Sequence, residues 1–133
     1  MARPNKKGRR DGMGRFLALP ADMLKTPAWL SLGAAARAAL VQVGARYNGA
    51  NNGYLAASIR DLAAECNLAK DTANKAVREL VARGFLEVVQ EGSFSFKKRH
   101  AAEYRLTWRP CDRTRTPPSR AYLRPPEPLS PHG

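Results

Sequence analysis

Apolar residues along this chain fall into short helical periods broken by turn-forming residues, and two β-type runs follow them. Leu19-Pro20-Ala21-Asp22-Met23-Leu24 has the form of one helical turn, with proline at its first position, where a missing N–H costs nothing. Pro27 and Trp29 come next, in a connection. Leu32, Ala36, Ala39, Leu40, Val43 and Tyr47 then recur at the spacing of one helix face, and Ser31 is placed to cap it. Gly44 weakens that helix by roughly 1 kcal/mol of propensity. It must end at Asn48-Gly49-Ala50-Asn51-Asn52-Gly53, a run of residues that tolerate positive φ.

Tyr54-Leu55-Ala56 reads as a very short extended piece. Ser58-Ile59-Arg60-Asp61 is a start of the capping-box type, with Asp61 a shorter substitute for the usual Glu or Gln, and Ile59, Leu62, Ala63 and Cys66 form the apolar face behind it. Asn67 breaks this helix. The next runs from about Lys70 to Arg83, with Ala73, Ala76, Val77 and Leu80 turned inward and Gly84 at its end. Phe85–Gln90 and Glu103–Trp108 are β-rich, the second alternating Tyr104/Leu106/Trp108 with Glu103/Arg105/Thr107. The predicted order is helix, short strand, helix, tight turn, helix, hairpin. That is a mostly α fold with a small β-hairpin wing (α+β), and two helices joined by a turn of about three or four residues make a helix-turn-helix unit.

With these elements in place, the chain resembles the winged helix-turn-helix DNA-binding proteins of bacteria. Residues 59–87 carry most of the likeness: small Ala63 where two helices cross, Asn67 at a left-handed turn, then Asn67-Leu-Ala-Lys-Asp-Thr-Ala-Asn-Lys-Ala-Val-Arg-Glu-Leu80 followed by Gly84-Phe-Leu86. Leu19-Pro20, Ala28-Trp29, Leu30-Ser31, Asn51-Asn52-Gly53, Gly92-Ser-Phe94 and Tyr104-Arg-Leu-Thr107 are similar to small winged-helix proteins of plasmids and prophages. The resemblance implies DNA binding, with transcriptional control of mobile elements or replication control as the roles. One departure is Ala69, where the family has a Ser or Thr cap. Its methyl group accepts no hydrogen bond, a loss of roughly 1 kcal/mol that Asp71 offsets in part at the positive helix end.

Charge adds a partner class and a division of the chain. The 133 residues carry 23 Lys or Arg against 11 Asp or Glu, a net +12, which makes a polyanion the leading partner. Residues 1–15 hold +5 with almost no large apolar residue, 16–109 hold +5, and 110–133 hold +2 together with seven of the ten prolines. The expected organisation is therefore a basic flexible N-terminal arm (1–15), a winged helix-turn-helix domain (16–109) and a Pro-rich disordered tail (110–133). No apolar run approaches the roughly 20 residues of a membrane span, and the basic start lacks the apolar stretch of a secretory signal. Cys66 and Cys111 have no CxxC or Cys/His neighbour of zinc-site spacing, so neither a metal nor another cofactor is expected. Carboxylates are scattered singly and no GxSxG, phosphate-binding glycine loop or HExxH is present, so no catalytic residue is expected and the chain is not read as an enzyme.

Thr72, Asn74, Lys75 and Arg78 occupy the polar face of the second helix of the pair. Asn can pair with adenine and Arg or Lys with guanine, while a Thr methyl can touch thymine; the alternative is the solvated face of any amphipathic helix. Arg60 and Lys70, near helix starts, are candidates for phosphate contact. Lys97, Lys98 and Arg99, with His100, fall at the wing tip and suit the backbone or minor groove, or else serve to keep a hairpin edge from aggregating. Lys6, Lys7, Arg9 and Arg10 supply the arm. Phe94 and Phe96 either stack on bases or fill the space under the wing. Cys66 reads as a small buried hydrophobe.

The expected function is a sequence-specific regulator of transcription, a repressor linked to a mobile element. Its partner is double-stranded DNA, with a homodimer left open and neither a membrane nor a small-molecule ligand implied, and its place is the cytoplasm, on the nucleoid. Three alternatives stand beside it: a replication-control protein of a plasmid or phage, an adaptor docking through Arg124-Pro-Pro-Glu-Pro128, and an RNA-binding protein, which lacks the exposed aromatic sheet that stacks single-stranded bases.

Overall fold

In the computed structural model, which describes residues 14–94 and 99–124, the helical turn expected over residues 19–24 is a 3-10 turn displaced toward its C-terminal end. A 3-10 turn over Met23–Lys25 hangs from the Pro20 carbonyl and leads into α1 (Pro27–Leu30). Thr26 caps α1: its hydroxyl accepts the Trp29 N–H at 3.2 Å and donates to the Met23 carbonyl, and Pro27 takes the first helical position. Pro27 and Trp29 therefore belong to a helix and not to a connection. Ser31 closes α1 by donating to the Ala28 carbonyl, so it does not open the next helix. That helix, α2 (Ala34–Gly44), starts from Gly33, whose N–H is accepted by the Glu79 carboxylate from across the core. It stops at Gly44, short of Tyr47, and Arg15 donates to the carbonyls of Ala45 and Tyr47 just beyond.

β1 (Leu55–Ala57), α3 (Ile59–Cys66), α4 (Lys70–Ala82) and β2 (Leu86–Gln90) follow close to their expected bounds. A hairpin extension made by β3 (Ser93–Phe94) and β4 (Arg99–His100) returns into β5 (Ala102–Leu106). β1, β5 and β2 form one antiparallel sheet with β5 central, Leu55 opposite Tyr104 and Leu86 opposite Leu106. The register slips between Val88 and Gln90, a bulge at the root of the hairpin. α2 lies against both α3 and α4, and the core between helices and sheet holds Leu40, Val43, Leu62, Leu80, Phe85 and Leu106, each essentially inaccessible. Trp108 leaves the strand but stays in this core, its indole N–H donating to the Ala18 carbonyl. Cys66 packs at the core edge and is half-buried, where full burial was expected. The architecture is α+β, with helices layered on one face of a three-stranded antiparallel sheet.

The largest correction concerns residues 110–124, expected to be the first part of a disordered tail. They form a strap across the face of the sheet opposite the helices. Arg105 and Thr107, on the strand positions that alternate with the core-facing ones, are buried beneath it. Arg105 donates to the Thr116 hydroxyl and to the Pro117 carbonyl, Arg120 N–H bonds to the Thr107 carbonyl, and Ser119 bonds to Glu87. The strap then rounds the β2 edge, where Ala121 and Tyr122 enter the core and the Tyr122 ring stacks on Phe85 with centroids 5.2 Å apart. Gly84 makes this passage possible. Its φ is +87°, and a Cβ there would lie 2.6 Å from the Ala121 carbonyl oxygen.

Prolines do not prevent this packing, because the strap needs few ladder bonds of its own. Its acceptors and donors are met by its own turn, by backbone groups of the loop and strand beside it, and by buried side chains. Asn52, fully buried, donates to the carbonyls of Leu106, Arg109 and Pro110 and accepts the Leu106 N–H at 2.7 Å. Its own backbone groups bond to Asp112 and Arg113. The Asn51-Asn52-Gly53 run, read from sequence as turn chemistry, is also the clasp that holds the strap. Residues 125–133, the rest of the expected tail, lie outside the described residues.

Candidate nucleic-acid interface

The α3–α4 pair is built by local rules. Ser58 accepts the Asp61 N–H at 3.0 Å and fixes the start of α3. Asn67 takes the left-handed conformation (φ 57°, ψ 51°), and the Leu68 N–H reaches back to the Ala63 carbonyl at 2.8 Å, the six-to-one bond of a Schellman ending. A left-handed residue costs least as Gly and next least as Asn. Three residues later α4 begins at Lys70. Ala69 offers no side-chain cap, and Asp71 in the first turn is the acidic residue that meets the exposed N–H groups.

Ala73, Ala76, Val77 and Leu80 of α4 are buried. At 100° per residue, the opposite direction is occupied by Asp71, Lys75 and Arg78. Lys70 and Asn74 lie on one flank and Thr72 with Glu79 on the other. Lys70, Asp71, Thr72, Lys75 and Arg78 are exposed, and Asn74 is half-buried against the core side. The structure thus brings all four expected base-contacting residues onto one helix, with Lys75 and Arg78 at its outermost line. Glu79 points back to Gly33 and is taken out of the face.

Arg60 is exposed in the first turn of α3. A concavity of about 260 Å³ lies between the start of α3 and the root of the hairpin, lined by Ser58 and Ile59 and by Gly92, His100, Ala102 and Tyr104. Arg60 follows Ile59 in the chain and is not among the lining residues. The backbone of Arg99 pairs with Phe94 in the hairpin. Lys97, Lys98 and Phe96 lie outside the described residues, as do Lys6, Lys7, Arg9 and Arg10 of the arm. Arg15, expected to belong to the flexible segment, is tied to the chain just beyond the C-terminal end of α2. Tyr47 in that region carries the Arg109 guanidinium over its ring at 5.5 Å.

Ionisation at the two cysteines follows their surroundings. Burial and the neighbouring Glu65 push the Cys66 thiol up, against a smaller opposite effect of Arg46. At Cys111 burial also pushes upward. Hydrogen bonds from Thr114 and Arg113 and the nearby Arg105 guanidinium outweigh it and bring the thiol below its ordinary value.

Sequence reasoning overlooked the strap as a charged surface. Residues 109–124 contain Arg109, Arg113, Arg115, Arg120 and Arg124 against Asp112, a net +4, whereas residues 16–94 balance eight cations against seven anions. The signal was present in the arginine spacing and was masked by counting 110–133 as a tail. Among protein-family models, curated proteins and solved structures, none matches this chain.

Proposed function

We propose that this protein is a winged helix-turn-helix protein that binds double-stranded DNA in a sequence-dependent way and regulates transcription. The observation that carries the reading is the left-handed turn at Asn67, which joins α3 to a helix whose outward line is Asp71, Lys75 and Arg78, flanked by Lys70 and Asn74 on one side and Thr72 on the other. An α-helix fits the major groove, and these side chains match base-edge donors and acceptors there. The order α2, β1, α3, α4, then a hairpin, with β1 paired to the returning strand, supports the assignment of the hairpin as a wing. In this reading α3 braces against the backbone through Arg60. The wing, with Lys97, Lys98 and Arg99, lies on adjacent phosphates or the minor groove, and the arm at Lys6, Lys7, Arg9 and Arg10 follows the duplex. Asp71 at the centre of the face repels phosphate and so favours a site where it accepts from a cytosine amino group.

Repression of a mobile element is the specific role proposed, on the strength of the sequence resemblance alone. Selection of bound duplexes from a random pool tests the proposal. Recovery of a common motif is the expected result, and its symmetry reports whether one copy or two bind. Recovery of unrelated sequences with equal affinity would defeat it.

A further inference from the structure

We propose that the strap is a second phosphate-binding surface, which holds duplex backbone outside the segment read by α4. The inference rests on the DNA-binding reading above but uses different residues and a different face. Across the described residues, Arg15 contributes +1, residues 16–94 contribute +1, residues 99–108 contribute +1 and residues 109–124 contribute +4. Within the described residues, more than half of the net positive charge thus sits on these sixteen. α4 itself carries three cations and two carboxylates, a net +1. If phosphate attraction is the main source of affinity, the strap is the stronger electrode.

Placement separates it from α4. The strap covers the sheet face that alternates with the helix-facing one, so Arg115 stands behind the sheet, and Arg120 and Arg124 follow where the chain rounds the β2 edge. All three are exposed. Glu103 pairs with Arg113 and so meets one of the strap's own charges, while Glu87 is engaged by Arg105 and Ser119 and Asp112 by the Asn52 N–H. Among the described residues no ion pair joins a carboxylate to Arg115, Arg120 or Arg124, and these three carry the proposed surface.

Two further features suit a binding surface. Arg115 and Arg120 both adopt left-handed backbone conformations, with φ of 60° and 45°. Gly or Asn would sit there with less strain, so the backbone does not call for arginine at either place. The strap is also held in shape before any ligand arrives. Arg113 is anchored by Glu103, by the Gly53 carbonyl and by the Tyr54 ring at 4.7 Å, and Arg105 holds Thr116 and Pro117 from below. A backbone already fixed beneath the exposed cations loses little freedom on binding.

The test compares the full chain with the variant R115Q/R120Q/R124Q; of the three, only Arg120 acts on a buried group through its charge, lying near enough to the Tyr122 hydroxyl to oppose the upward push of burial on it. A thermal melt verifies that the variant folds, and R115Q/R124Q serves if it does not. Binding is measured by anisotropy on 15- and 40-base-pair duplexes between 50 and 200 mM salt, and a bead-tethered duplex is used to capture a free labelled one. Three lost phosphate contacts flatten the salt slope by about 2.7, so the affinity lost over that salt range shrinks by about 40-fold. The preference between duplex sequences stays as in the wild type. An effect on the long duplex alone assigns the strap to flanking DNA, loss of capture assigns it to a second duplex, and either supports the proposal. An unchanged slope on both lengths with unchanged capture overturns it. Lost binding to phosphatidylserine vesicles with duplex binding intact also overturns it, in favour of a lipid surface. Failure of the α4 reading looks different: the wild type then shows no sequence preference, whatever the strap variant does.

Discussion

Replacing Asn52 with alanine should be among the most damaging single changes in this protein. The side chain is fully buried and makes four hydrogen bonds, three donated to the carbonyls of Leu106, Arg109 and Pro110 and one accepted from the Leu106 N–H. Arg109 and Pro110 are exposed residues, and water can serve their carbonyls after the change. Leu106 is different, because it lies on the central strand with no accessible surface. Its stranded N–H costs about 1–3 kcal/mol and its lost carbonyl partner about 1 kcal/mol more. The space left by the amide adds a cavity contribution of about 1 kcal/mol. The expected loss is about 3–5 kcal/mol, a large part of the roughly 5–15 kcal/mol that holds a domain folded. Urea unfolding followed by tryptophan fluorescence measures it, and Asn51→Ala is the control. Asn51 is half-buried and bonds only within its own turn, so its loss should stay near 1 kcal/mol. If Asn52→Ala costs under about 1 kcal/mol, the clasp described above is not what holds the strap to β5.

Gly84→Ala should destabilise by about 3 kcal/mol or more in the same assay, since it adds a left-handed alanine and drives its methyl group into the Ala121 backbone; a neutral result would mean that the strap does not pass there. Ending the chain after Arg109 removes buried Cys111, Ala121 and Tyr122, a loss of about 3 kcal/mol or more from apolar burial, and should lower the melting temperature by ten degrees or so relative to a chain ended after Arg124; equal melting of the two truncations would contradict the packing. Burial pushes the Tyr104 hydroxyl above its ordinary value of 10.0, with Glu91 adding to the effect. Its contribution to stability is therefore full below about pH 10 and is lost as the pH rises through the folded value. Tyr104→Phe should flatten the fall in melting temperature above pH 10, and an unaltered fall would count against that assignment.

What could be read from the sequence was what local chemistry decides. The bounds of α3 and α4 follow from Ser58, Asn67 and Gly84, whose effects reach only a few residues, and the burial of Ala73, Ala76, Val77 and Leu80 follows from helical spacing. α1 was missed because Thr26-Pro27 and Ser31 are both plausible caps, and the choice between them depends on Glu79 supplying the α2 start from 46 residues away. The strap was missed for a related reason. Proline-rich composition speaks for extended chain, whereas the strap is a turn closed by the Cys111–Thr116 bridge, then irregular chain and a 3-10 turn over Ala121–Leu123. Whether such a chain is free or laid down depends on partners such as Asn52, 54 residues from the strand it bonds, and no local pattern carries that information. The polar face of α4 was legible from its period, but the charge that dominates the described surface was placed on a segment assumed to have no structure.

The central claim is that α4 reads bases, and the ratio of affinities for a selected and a scrambled duplex tests it most directly. In Asn74→Ala and Arg78→Ala that ratio should fall by about 5- to 150-fold, the equivalent of about 1–3 kcal/mol per base contact, while affinity for the scrambled duplex changes far less. If both variants lose affinity for the two duplexes by the same factor, or keep the wild-type ratio, α4 does not choose the sequence.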